Sequence, residues 1–214
     1  VDAVNGPQTL DSQPESVKQA AVADRIVLTK ADLATPEQVA TVRERLKALN
    51  PSAPVLDASA EFGPKDLFDA GLFKAERKIA DVAGWLRAEA FAHDHDRDHG
   101  HDHGHGHHHD PNRHDARIAS FCMTVDAPIS WDGFVTWIEM LITTQGENLL
   151  RIKGILNVAG EPNPVAVHGV QHLFHPPVGL PEWPDDDHRS KIVFITRDIG
   201  RKVIEDTFKA FVQS

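Results

Sequence analysis

The sequence predicts two folded units of different class: an α/β layer, then an α+β unit with a mainly antiparallel sheet covered by two helices. Three observations carry this. Strand-like and helix-like runs alternate from Ala23 to Phe91, a tract without apolar residues follows, and the order β-α-β-β-β-α comes after it.

In the first unit, Ala23 to Lys30 is a short apolar run ending in polar residues, which suits a buried parallel strand with functional groups at its carboxyl end. A helix is expected next. Thr35 can cap it, Pro36 fits its first turn, and Val39, Val42, Leu46 and Leu49 recur at helical spacing until Asn50-Pro51 stops it. Pro54 to Ala58 reads as another strand, and Asp66 to Ala75 and Asp81 to Phe91 as helices. Val1 to Gly6 reads as the end of a strand, so the sequence is expected to begin inside a domain, without a signal peptide.

From His93 to His114 there are ten histidines, interleaved with Asp and Gly: His93, His95, His99, His101, His103, His105, His107, His108, His109 and His114. Such a segment cannot bury enough surface to offset its chain entropy, so it is expected to be disordered without a ligand. The expected division is therefore 1–91, a linker at 92–115, and 116–214. Neutral imidazole binds Zn²⁺, Co²⁺, Ni²⁺ and Cu²⁺, and the aspartates attract cations, so the tract is a candidate metal-binding segment rather than inert filler. Its flexible spacing suits capture and exchange over one fixed tetrahedral site.

In the second unit, Ala119, Phe121, Met123 and Val125 alternate as one strand face. Ser130 can cap a helix with the stripe Phe134, Trp137, Ile138, Leu141 and Ile142, and Gly146 can end it. Strands are expected at Leu149 to Val158, Pro164 to Gln171 and Lys191 to Thr196. A last helix from about Asp198 should bury Ile199, Val203, Ile204, Phe208 and Phe211. Arg151 and Lys153 alternate with apolar neighbours as on a solvated strand face; contact with the first unit or a client protein is the alternative. His168, His172 and His175 have a spacing that could gather ligands on a helix, but the surrounding prolines and glycine argue for strand and loop, hence surface or packing roles. Cys122 falls opposite Phe121 and Met123 and is expected to be partly exposed, and Trp131 and Trp137 read as core.

The composition narrows the function. A formal charge of -10 with no Lys/Arg cluster argues against nucleic acid as a partner, and the apolar runs are too short to span a membrane. One cysteine rules out an internal disulfide and points to a reducing compartment, by default the cytoplasm.

Thr29-Lys30-Ala31-Asp32 follows the first strand and precedes a helix, at the carboxyl edge where open α/β sheets bind ligands. An aspartate there can accept hydrogen bonds from N1 and N2 of guanine while the lysine stem lies along the base. Adenine would leave that carboxylate unpaired. The match widens to Val1-Asp2-Ala3-Val4, to Ala23-Asp24-Arg25-Ile26-Val27-Leu28 and to Ser59-Ala60. In the second unit it takes in Leu150-Arg151-Ile152-Lys153-Gly154, Trp183 and Lys191 to Ile195. Together these resemble the C-terminal portion of the CobW/P47K GTPases, a branch of the P-loop class.

That resemblance implies part of a P-loop GTPase domain at 1–91 and the family's C-terminal domain at 116–214. It implies that Thr29, Lys30 and Asp32 form the nucleotide-binding segment, with Lys30 and Asp32 contacting guanine and Ser59 and Ala60 in support through backbone groups. Thr29 stands where asparagine is commoner. The implied activity is that of a GTP-dependent metallochaperone using GTP with Mg²⁺, carrying Zn²⁺ or Co²⁺ to a client metalloprotein or cofactor-synthesis enzyme. No Gly-x-x-x-x-Gly-Lys-Ser/Thr and no Cys-x-Cys-Cys occurs in the sequence, so these residues alone are expected not to hydrolyse GTP. The alternative is a metal buffer or scaffold whose histidine tract works without a nucleotide cycle.

Overall fold

A computed structural model of the protein describes residues 1–60, 63–68 and 117–212. The histidine tract and the helix expected at Asp81 to Phe91 lie outside the described residues, as does most of the helix expected from Asp66.

The first unit is an α/β layer. Its elements are α1 (Gly6–Ser12), α2 (Pro14–Val22), β1 (Ile26–Leu28), a 3₁₀ turn at Ala31–Leu33, α3 (Pro36–Leu49), β2 (Val55–Asp57) and α4 (Pro64–Phe68). β1 and β2 pair in parallel, with Ile26 opposite Val55 and Leu28 opposite Asp57. On its other side β1 is held by a parallel bridge between Asp2 and Thr29. A parallel pair this short is not stable by itself; it survives because Ala3, Leu10, Val17, Ala20, Ile26, Leu28, Val42, Leu46 and Leu49 form one core around it. α3 starts as its sequence implies. Thr35 Oγ1 accepts from Gln38 N while Gln38 Oε1 accepts from Thr35 N, which satisfies two donors that a helix start leaves over.

The sequence reading lacks α1 and α2. Both begin with proline in the first turn, and their buried residues are few: Gly6 and Leu10 in α1, Val17, Ala20 and Ala21 in α2. Sparse apolar spacing of this kind gives little periodic signal. Asn50, which the sequence marks only as a helix stop, is 1% exposed. Its Nδ2 donates to the carbonyls of Ala20, Ala21 and Ala23 at 3.0, 3.0 and 2.8 Å, so two N–H bonds serve three acceptors at the end of α2.

The second unit comprises β3 (Ile118–Val125), α5 (Trp131–Gln145), β4 (Leu149–Leu156), β5 (Val165–Val170), β6 (Leu173–Phe174), β7 (Val178–Gly179), β8 (Ser190–Arg197) and α6 (Arg201–Val212). The strand order is β3-β8-β4-β5-β6, antiparallel at every pairing, with β7 also on β5. The expected α+β plan therefore holds, with two additional two-residue strands. α5 and α6 cover one face of the sheet. Trp137 sits at the centre of that core, edge-on to Phe194 at 6.0 Å and Phe208 at 5.0 Å, and its Nε1 donates to Thr207 Oγ1 at 3.1 Å.

α6 begins at Arg201 rather than near Asp198, because Asp198 has a left-handed φ of 58° and its carboxylate pairs with Arg117. That start fixes the phase of the helix. Ile204 and Phe208 turn inward, whereas Val203 and Phe211, expected in the core, are 54% and 41% exposed.

The sheet face opposite the helices is not simply solvated. Arg151 is 1% exposed, and its guanidinium donates to the Val22 carbonyl and to Asp24 of the first unit. Lys153 Nζ reaches the same carboxylate at 3.0 Å. Of the two readings of these cations, contact with the first unit is the one observed. A small apolar cluster of Ala21, Leu150 and Ile195 closes beside them. Burial pushes the Asp24 carboxyl up, but Lys153 and Arg151 together outweigh it, so it titrates below the usual carboxylate range.

His168 lies across from Lys153 in the β4–β5 register and stacks on His175 at 4.9 Å. Burial first, then the charges of Arg151 and Lys153, push its pKa down to about 3. Between the ordinary imidazole value, near 6.5, and that value, the unfolded chain holds a proton that the folded chain does not, so stability falls as pH falls through that window.

Two outcomes are expected. Asn50→Ala should lower folding stability by about 2–3 kcal/mol in a urea titration, because buried carbonyls lose their donor. In an NMR titration His168 should remain neutral at pH 5, where an ordinary imidazole is mostly protonated; a midpoint near 6.5 would place the ring in solvent instead.

Candidate nucleotide-binding site

The carboxyl ends of β1 and β2 lie side by side because the strands are parallel and in register, which brings together two loops 27 or more residues apart in sequence. Ala58 N donates to Leu28 O at 2.9 Å and fastens the second loop to the end of β1. Thr29 N donates to Val1 O at 2.8 Å, and Ala3 N to Thr29 O at 2.8 Å, which fastens the first loop to the opening residues. Thr29, Lys30, Asp32, Ser59 and Ala60 thus share one edge.

Within that edge, Lys30 has a left-handed backbone with φ 58°. This conformation is uncommon for a residue with a side chain. Its ammonium is held by Asp2 Oδ2 at 2.7 Å. The same carboxylate accepts from Val4 N at 2.8 Å, Asn5 N at 3.0 Å and Asn5 Nδ2 at 3.0 Å. Lys30, then the Asn5 groups, hold the Asp2 carboxyl well below the usual carboxylate range. Thr29 Oγ1 donates to Val1 O at 3.2 Å, a bond that a hydroxyl makes easily.

Asp32 sits in the 3₁₀ turn, exposed, with no hydrogen bond or ion pair among the described residues. Its carboxylate is therefore free to accept from a ligand, which fits a base presenting two N–H donors. Ser59 and Ala60 are exposed and organised by Asp57: Ser59 Oγ donates to Asp57 Oδ1 at 2.8 Å, and Ala60 N to Asp57 O at 3.0 Å. The Ser59 hydroxyl and amide lead in holding the Asp57 carboxyl low, with Arg43 adding to them at 3.1 Å. A cleft of about 350 Å³ opens beside this edge, bordered by Val1, Asp2, Thr9, Ala23 and Arg25; it reaches Asp2 but not Lys30 or Asp32.

The predicted metal-binding histidines 93 to 114 fall outside the described residues. His168 and His175 meet, while His172 is exposed on the turn between β5 and β6. Among the described residues no group of three or more His, Cys, Asp or Glu side chains converges for a metal. The Cys122 thiol is half-buried, and burial pushes its pKa up. No described helix is long and apolar enough to cross a membrane.

The residues that sequence reasoning did not single out are Asp2, Asp24 and Asn50. Asp2 and Asp24 belong to the stretches that carry the family resemblance, but nothing local marks either one as the partner of a cation 28 or 127 residues away.

Comparison with known proteins agrees with this layout. Residues 1–57 match the CobW/HypB/UreG nucleotide-binding domain, and residues 118–212 match the cobalamin synthesis protein cobW C-terminal domain. The zinc chaperone YjiA of Escherichia coli K12 is 28% identical over 211 residues, which is 97% of this chain and 58% of that protein. Two solved structures of the YjiA GTPase share the fold, a Zn(II)-bound triple mutant with a TM-score of 0.68 and a Zn(II)-bound E. coli form with 0.67. Each is 25% identical and covers 99% of this chain and 59% of its own. The chain spans under three fifths of the length of these relatives. Both of its halves match in the order, and on the residues, that the two cores occupy, and the chain belongs to the CobW family.

Proposed function

We propose that this chain is the C-terminal portion of a GTP-dependent metallochaperone that moves zinc or cobalt to a client metalloprotein or cofactor-synthesis enzyme. The observation that carries the reading is the single edge shared by the Thr29-Lys30-Ala31-Asp32 and Ser59-Ala60 loops, with Asp32 unpartnered among the described residues. The zinc chaperone that it resembles supports the cargo class.

In this reading Asp32 accepts from N1–H and the exocyclic amine of guanine. Lys30 lays its stem against the base while Asp2 holds its ammonium, and Thr29, Ser59 and Ala60 shape the loops around it. Bound GTP with Mg²⁺ supplies the hydrolysable γ-phosphate that resets the cycle in a longer protein; no phosphate loop occurs in these residues. The division into 1–91, 92–115 and 116–214 belongs to the same proposal. The imidazoles of His93 to His114 load metal, and the C-terminal unit engages the client in the cytoplasm. The runner-up, a metal buffer without a nucleotide cycle, would keep the tract and leave Asp32 idle.

The base reading predicts a change of preference rather than a simple loss. In the protein carrying its phosphate loop, Asp32→Asn should weaken GDP binding by roughly 10- to 100-fold and favour xanthosine diphosphate, whose 2-oxo group accepts from the new amide. Equal GDP affinity before and after the change, by fluorescence titration, would leave the buffer reading in place. For the tract, isothermal titration with Zn²⁺ should show most uptake lost when residues 93–114 are deleted, and affinity should drop as pH falls through about 6.5 because protons compete for imidazole. Unchanged uptake would remove the loading role.

A further inference from the structure

We propose that the Asp24–Arg151–Lys153 junction is a latch coupling the position of the second unit's sheet to the conformation of the Thr29–Asp32 loop, with β1 as the connecting rod. Its functional meaning, control of a base-reading loop, rests on the function proposed above.

The rod is short and held on both sides. Asp24 lies two residues before β1, and Thr29 directly follows it. In extended backbone these two residues are about 17 Å apart. Between them every residue of β1 is in register with β2, and Thr29 is clamped to Val1 and Ala3 by backbone hydrogen bonds. A displacement at Asp24 therefore has little slack to absorb it before it reaches Lys30. At the entry to the rod, Asn50 ties the carbonyls of Ala20, Ala21 and Ala23, so the turn that presents the Val22 carbonyl and the Asp24 carboxylate is itself rigid.

The second unit grips this turn through Arg151. A guanidinium that is 1% exposed needs an anion, and the one it has, Asp24, belongs to the other unit. Lys153 adds a second cation to the same carboxylate oxygen at 3.0 Å. The grip is incomplete, however. Arg151 Nε and His168 Nδ1 are both buried without a hydrogen-bond partner. Buried polar atoms left over in this way belong to an arrangement with room for an alternative rather than to a permanent weld. The apolar contact around it is small: Ala21, Leu150 and Ile195, flanked by Val22 and Ile118. Interfaces of this character permit relative motion of the parts they join. A rigid rod ending in a partly satisfied, charge-dependent grip has the form of a two-state coupling element.

Hydrogen–deuterium exchange on the 214-residue chain, without nucleotide, tests it. Arg151→Met fills the site without its charge and leaves Asp24 to Lys153 alone. The latch predicts that amides 29–33 exchange faster by roughly tenfold, although they lie at the far end of β1, while amides in the β4–β8 core keep their protection. Faster exchange confined to residues 20–25 and 150–153 would overturn the proposal and reduce the junction to simple adhesion. Should Arg151→Met loosen the β4–β8 core as well, Asp24→Asn, which keeps an acceptor for the buried guanidinium while removing the charge that both cations share, is judged by the same two regions: a change at 29–33 supports the latch, and its absence overturns it. Because no nucleotide is present, loss of the coupling leaves the guanine reading standing, and failure of guanine binding leaves the coupling standing.

Discussion

A guanidinium removed from water must find an anion or destabilise whatever buries it, and Arg151 finds one in Asp24, across the boundary between two separate cores. Breaking such a pair by removing one partner costs up to about 3–5 kcal/mol when both are fully buried. Asp24 is 35% exposed at its side chain, so water softens that figure here. The cost still falls on any motion that parts the units. It ties together features that look independent in the sequence: a turn before a three-residue strand, a buried asparagine at the end of α3, and the charged face of an antiparallel sheet.

The same requirement orders the chemistry around the junction. His168 sits beside two fixed cations and is kept neutral, which makes the surroundings unwelcoming to a metal ion even though two imidazoles are stacked there. The metal capture proposed above is assigned instead to the imidazole- and aspartate-rich sequence from His93 to His114. Arg151 and His168 thus separate a structural histidine site from the chemistry expected of the tract.

The sequence made much of the fold legible where a local rule decides it. Thr35, Pro36 and Asn50 bound α3 because capping and proline geometry act within a few residues, and the strand alternation from Ala119 to Val125 survives because one face of β3 meets the helices. Helix α6 shows the limit. Its apolar residues were visible, but which of them turn inward depends on where Asp198 breaks the chain, and that break is set in part by Arg117, 81 residues earlier. α1 and α2 were illegible because so few residues bury them, Gly6 and Leu10 in one and Val17, Ala20 and Ala21 in the other. At the candidate site, the loop itself could be read from Thr29 to Asp32, whereas Asp2 and Asp24 act through partners chosen by topology. Arg151 and Lys153 looked like a wet strand face because alternation reports that a face is polar, not what covers it.

Lys30 brings two demands to one position. Its backbone is left-handed, where glycine or asparagine would sit with less strain. Its side chain must also span to Asp2 with a positive end. Glycine would answer only the first demand, arginine would bring a broad fork to a carboxylate already crowded by amide donors, and a β-branched residue would answer neither. The identity of this residue is thereby overdetermined by local geometry, before any ligand is considered, so tolerance to substitution should be narrower here than at its exposed neighbour Leu33.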